Sequence, residues 1–228
     1  MRILTSPRQQ RGVALIVTLF ILVIVTFIGL IAMRSGMQQV AMSTNSQVAV
    51  LLFHNADAGT TSVENVINAD MTFANGPTGP ITLIKDNPGK AVVGCLTKDG
   101  LDLSDSVTTP RKCDLDTAAE YVSGRDVVVV QVGVQTPVDS SGKAQTVMNY
   151  GTDDSILPGG GGALVAVYAT SVMPNYGSAS KSEIEACLGE PQEAVSSSTD
   201  SVTSCLVKKN ASFQTVVQEF VYGYGGYK

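Results

Sequence analysis

Residues 13 to 33 read VALIVTLFILVIVTFIGLIAM, a run with no charge and only Thr18, Thr26 and Gly29 as interruptions. A helix rises about 1.5 Å per residue, so this stretch covers about 30 Å, the thickness of a bilayer's hydrocarbon core. A core helix of a water-soluble domain keeps a polar stripe; this one is apolar on every side and reads as a membrane span. Arg2, Arg8 and Arg11 precede it and only Arg34 follows closely. The positive-inside bias therefore holds residues 1–12 in the cytoplasm and sends the body across.

The body is acidic. The whole chain of 228 residues has a net charge of -5, but residues 35–228 carry 11 basic and 20 acidic side chains, a net of -9. Such a surface cannot neutralise phosphates, so no direct nucleic-acid partner is expected. One histidine (His54), no tryptophan and four cysteines exclude a multi-histidine metal site and leave most histidine-dependent catalysis without its residues. The chain is read as a non-enzyme.

A secretory signal has a shorter apolar region followed by a small-residue cleavage site, whereas here the run passes into Arg34-Ser35-Gly36. No proline occurs from Arg8 to Gly76, while eight follow, so the helix is expected to leave the membrane and continue to about Met71. Its outer half is amphipathic: Val48, Leu51, Leu52, Ala56, Gly59, Val63, Val66, Ile67 and Ala69 fall near helical spacing. Gly29 and Gly36 each weaken a helix by roughly 1 kcal/mol relative to Ala, so a bend or local melting is expected near them.

After Asn75 the texture changes. Gly76-Pro77-Thr78-Gly79-Pro80 is read as the end of the helix, and β-branched runs alternate with turn residues beyond it. Strands are expected at 91–96, 127–135, 163–170 and 212–222, and a short helix at 182–188 with Ser182 and Glu185 in capping-box spacing. A sheet with one apolar face and a helix with one apolar stripe cover each other. The expected fold is α+β: a long N-terminal helix, half membrane-spanning and half amphipathic, on an antiparallel β-sheet head. The expected divisions are a leader at 1–12, the span at 13–33, the amphipathic continuation at 34–75 and the head at 76–228.

Cys95 and Cys113 are 18 positions apart, as are Cys187 and Cys205. An even count on the exported side of a membrane reads as two disulfides, and of three possible connectivities the sequence-local one is expected. Zinc would want close pairs such as C-x-x-C, and none exists. Asp99, Asp102 and Asp105 could hold calcium, but their spacing is not that of an EF-hand, and a solvated acidic loop is the reading preferred; no cofactor is expected. Gly159 to Gly162 lack the Lys-Ser or Lys-Thr of a phosphate loop and read as a flexible connector. His54 has no nucleophile at helical spacing and reads as a surface or interface residue. The polar stretch 196–204 reads as a tethered surface loop, and the tail from Tyr222 to Lys228 as an exposed end or an edge-strand finish.

The junction Arg11-Gly12 followed by Val13-Ala14-Leu15-Ile16-Val17 resembles the site cut by prepilin peptidase in type IV pilins, where the apolar segment is kept. Together with Gly29-Leu30-Ile31-Ala32-Met33-Arg34, Asn45 and Phe53-His54-Asn55-Ala56-Asp57-Ala58-Gly59, it resembles the N-terminal domain of PilX-type minor pilins. In that family the last segment usually reads Ala-Glu-Ala-Gly, from which Asp57 is a conservative departure. The resemblance implies cleavage between Gly12 and Val13, which makes Val17 the fifth mature residue, where most pilins carry Glu. A carboxylate in hydrocarbon costs several kcal/mol unless paired, so a subunit with no partner amine does better with Val.

What the resemblance implies is a minor pilin of a type IV pilus in a tip or priming complex. It would first sit in the inner membrane and then in the extracellular fibre near its tip. Its partners would be other minor pilins and the major pilin, through the N-terminal helix, and prepilin peptidase; the processes served would be twitching motility and surface attachment. The alternatives are a K-type-like minor pseudopilin of a type II secretion system and a static membrane-anchored periplasmic binding domain.

Overall fold

A computed structural model describes residues 11–70, 74–108, 111–122, 126–139, 142–147, 162–193 and 200–222. The leader up to residue 10, most of the LPGGGG connector, residues 196–199 of the polar stretch and the tail after Tyr222 lie outside this set. The chain divides into two compact units, residues 1–48 and 49–228.

Helix α1 spans Arg11–Ala69 and begins in the first unit. It runs unbroken through Gly29 and Gly36, so no melted turn interrupts it there; a glycine's cost of about 1 kcal/mol is small beside the bonding of a helix of 59 residues. Beyond its far end the N–H of Ala74 donates to the Asp70 carbonyl at 2.9 Å.

In the second unit a six-stranded, wholly antiparallel sheet lies against the outer part of α1. Its strands are β1 (Ala91–Thr97), β2 (Gly100–Leu103), β3 (Val129–Gln135), β4 (Thr146–Val147), β5 (Gly162–Gly177) and β6 (Ala211–Tyr222). The spatial order is β2-β1-β3-β5-β6, with β4 beside the first residues of β5, past the end of β3. Register fixes the faces. Val130, Val132 and Val134 of β3 stand opposite Leu96, Gly94 and Val92 of β1 and Ser171, Ala169 and Val167 of β5. Since side chains alternate along a strand, these nine positions share the face toward α1.

The helix meets that face with Leu52, Ala56, Gly59, Thr60, Val63 and Ile67, all buried and all on one stripe. Gly59 lets the two backbones close up: a Cβ there would lie 2.9 Å from Val130 Cγ1, 3.0 Å from Ala169 Cβ and 3.2 Å from Val132 Cγ2. Leu51 and Ala69, expected on the apolar stripe, are exposed instead, because the sheet covers a narrower arc than the hydrophobic pattern offers. A hydrogen bond also ties the layers: Ser171 Oγ donates to the Leu52 carbonyl at 2.6 Å.

The opposite face carries Cys95, Val129, Gln131, Gly133, Thr170 and Val172. It is covered by α3 (Lys181–Leu188), α4 (Val202–Lys208) and the strand-free segment around Cys113 to Tyr121, which follow α2 (Pro80–Asp86) in the order of helices. Both disulfides belong to this layer. Cys95–Cys113 staples the irregular segment to β1, and Cys187–Cys205 joins α3 to α4.

Three local expectations need correction. The capping box of α3 is Ser180 with Glu183, because Glu185 is turned to the head, where its Oε1 accepts from the Leu115 N–H at 2.9 Å. Pro80 opens α2 at a position where its missing N–H has no helical partner to lose. The polar stretch ending at Ser204 is helical from Val202, with Ser201 and Ser204 capping each other reciprocally.

Candidate functional site

Side chains described from Ala14 to Gln47 on α1 are all exposed. Between Leu15 and Met42 the large apolar residues have exposures from 40% at Val23 to 74% at Met42. Each is worth about 1.5–3 kcal/mol when buried, so the set amounts to tens of kcal/mol, more than the net stability of a typical domain. Such a surface exists only under lipid or under other helices. The helix is long and apolar enough to cross a membrane.

Three of its hydroxyls are satisfied internally. Thr18 Oγ1 donates to the Leu15 carbonyl at 2.9 Å, Thr26 Oγ1 to Val23 at 2.7 Å and Thr44 Oγ1 to Val40 at 2.9 Å. The hydroxyls that interrupt the apolar run are thus folded onto the backbone, and the span presents no unmet hydroxyl to its surroundings. Gly12 and Val13 lie in the first turn of α1, and Val17 is one turn further on, 49% exposed. A Cβ at Gly29 or Gly36 would have nothing within 4 Å, so both leave room for a neighbouring backbone.

The segment Phe53 to Gly59 has a packing explanation. Ala56 and Gly59 are buried at the closest approach to the sheet, whereas Asp57 and Ala58 face outward. An acid at position 57 therefore costs nothing in packing, and Asp serves as well as Glu. His54 is exposed, its ring edge-on to Phe53 with centroids 5.9 Å apart.

In the head, the four cysteines form the two expected disulfides, Cys95–Cys113 and Cys187–Cys205, with Cα atoms 5.6 and 5.3 Å apart. Gln131, missed at the level of sequence, joins the two stapled segments: its Nε2 donates to the Leu188 carbonyl at 2.7 Å and its Oε1 accepts from the Cys113 N–H at 3.2 Å. A lone amide in the run VVVVQVGVQ was the available signal. Next to it, Gly133 is bare because the Gln192 side chain lies where a Cβ would be.

Of the three aspartates considered for calcium, Asp99 lies in the β1–β2 turn, Asp105 lies beyond β2, and Asp102 on β2 is ion-paired with Arg111, which also bridges Glu120. Asp114, Asp116 and Glu185 converge elsewhere, but Lys181 Nζ already sits 2.9 Å from the Leu115 carbonyl and 3.4 Å from Asp116. Asp114 is held below the usual carboxylate range by the Asp116 backbone N–H and the Thr117 hydroxyl. A cavity is lined by Lys90, Val93, Gln135, Glu190 and Gln192, among others, with no histidine, serine or cysteine among its described lining residues.

An apolar N-terminal helix whose outer part lies on an antiparallel sheet, with a disulfide-stapled layer behind, is the α+β layout of a type IV pilin. Residues 11–61 match the family described as PilX N-terminal, a match that supports a PilX-type pilin through that segment. No curated protein and no solved structure matches the chain. Pilins of this kind are structural components of fibres and, through the helix, membrane-anchored before assembly.

Proposed function

We propose that the protein is a minor pilin, cut by prepilin peptidase between Gly12 and Val13 and working in a tip or priming complex that starts the pilus. The observation that carries this reading is the uncharged, exposed stretch of helix from Ala14 to Met33, with a valine at the fifth position after the proposed cut. Its surface demands a cover, and a bundle of like helices supplies one when the subunit leaves the lipid. Without a carboxylate at position 17, the subunit has no need of the N-terminal amine of a subunit placed before it. It is therefore suited to being among the first in the fibre.

In this role the head faces outward and presents its loops, and the chain passes from the inner membrane to the fibre without catalysis. Its partners are other minor pilins and the major pilin. Two measurements test the reading. The mature protein is expected to begin at Val13 by mass, and labelled subunits are expected at filament ends; an intact leader, or label spread evenly along filaments, refutes it.

A further inference from the structure

Between Arg11 and Asp57, Arg34 is the only side chain charged at neutral pH. It is exposed on α1, and the first acid of the chain is 23 positions further on. A helix places that acid about 34 Å away along its axis, far beyond the reach of an arginine. The ion pairs of the described residues all lie in the head.

Large exposed apolar side chains flank Arg34 on both sides, those beyond it interspersed with Ser35, Gln38 and Gln39. Leu30, Ile31 and Met33 are 64, 68 and 67% exposed on the membrane side; Met37, Val40 and Met42 are 68, 68 and 74% exposed on the other. Hydrocarbon ends near Met33, so lipid covers the first group and cannot reach the second. Only protein can cover Met37, Val40 and Met42, and a protein that also replaces the lipid on Leu30 and Ile31 must enclose the guanidinium between them. An enclosed charge costs several kcal/mol unless an opposite charge meets it. The planar guanidinium matches a carboxylate through two parallel N–H···O bonds. This stretch of α1 has no acid of its own, so the carboxylate comes from the partner. Gly29 and Gly36, open on either side of Arg34, allow that partner to be a closely approaching helix.

We propose that Arg34 docks a carboxylate on the helix of another pilin subunit and that this ion pair fixes the axial seating of the chain in the fibre. The inference rests on the assembly function proposed above. A lipid phosphate is the other anion within reach before assembly, and the experiment separates the two.

The full-length protein is expressed in fibre-forming cells as wild type, Arg34→Gln and Arg34→Lys, and the amount in sheared fibres is divided by the amount in washed membranes. Removing a positive charge on the outer side leaves orientation intact. For Arg34→Gln, the membrane level and both disulfides, seen by non-reducing mobility, are expected to match wild type, while the fibre-to-membrane ratio falls at least tenfold. Arg34→Lys, a point charge without the fork, is expected to fall between them. An Arg34→Gln ratio equal to wild type overturns the inference, and so does a parallel loss from membranes, which assigns Arg34 to lipid. Absence of the wild type from fibres overturns the assembly function itself.

Discussion

Gly59 and Gly36 sit on the same helix, and replacing each with alanine is expected to have opposite effects. Alanine is favoured over glycine in a helix by about 1 kcal/mol. At Gly36 nothing lies within 4 Å of the new Cβ, so only this gain acts. At Gly59 the Cβ would stand 2.9 Å from Val130 Cγ1, 3.0 Å from Ala169 Cβ and 3.2 Å from Val132 Cγ2. None of these is the end of a long, yielding side chain: all are short groups on β3 and β5, in the middle of the sheet and fully buried. Overpacking of a filled core costs about 1–3 kcal/mol, and contact with two strands at once favours the upper half of that range. Net destabilisation by Gly59→Ala is then about 1–2 kcal/mol, or a Tm roughly 2–8 °C lower for a protein of this size.

The assay is thermal unfolding of the detergent-solubilised full chain, followed by the near-ultraviolet signal of the head tyrosines. Val130→Ala in the Gly59→Ala background is expected to recover part of the loss, since it removes the nearest methyl; a double-mutant cycle reads that coupling. A Gly59→Ala protein as stable as wild type, or more stable, refutes the close-approach argument. Gly36→Ala is read separately by amide exchange over residues 30–42, which is expected to slow.

Replacing Cys187 and Cys205 together by serine removes the link between α3 and α4; closing such a loop is worth about 3 kcal/mol, and the Tm is expected to drop by roughly 6–12 °C. Glu183 is held at about 2, against an ordinary value of 4.5, by the Ser180 N–H and hydroxyl and by Lys209. Because its folded value is the lower one, its contribution is present above pH 4.5 and lost as the pH falls toward 2; Glu183→Gln is expected to flatten acid unfolding across that window. Calcium titrated into the full chain is expected to give no heat, since Arg111 already faces Asp102, and saturable binding would contradict that view.

Some of this architecture was written locally and some was not. The run at Val129–Gln135 and the alternation in Ala211–Tyr222 carry the strand period in their own composition, and both strands are found within two residues of expectation. β5 extends seven residues past Thr170, through Pro174 and Gly177, because pairing with β6 resumes across an irregularity between Val172 and Gly177. No local pattern encodes that continuation. α4 was hidden by its serines and threonines, which favour loops until a cap and a buried face, here Val202 and Leu206, recruit them. Gln131 and Glu185 illustrate the same limit: each reaches a residue more than 50 positions away, and their hydrogen bonds exist only once the chain has folded.

The sequence by itself determined the membrane-length helix, its continuation as one stripe and the even set of cysteines, because each depends on composition or on the short period of a single element. The tertiary structure decided which glycine is a spacer and which is a contact. It also decided which serines cap helices and how wide a stripe of α1 the sheet covers. These depend on distances between strands and helices far apart in the chain, and such distances are set by packing.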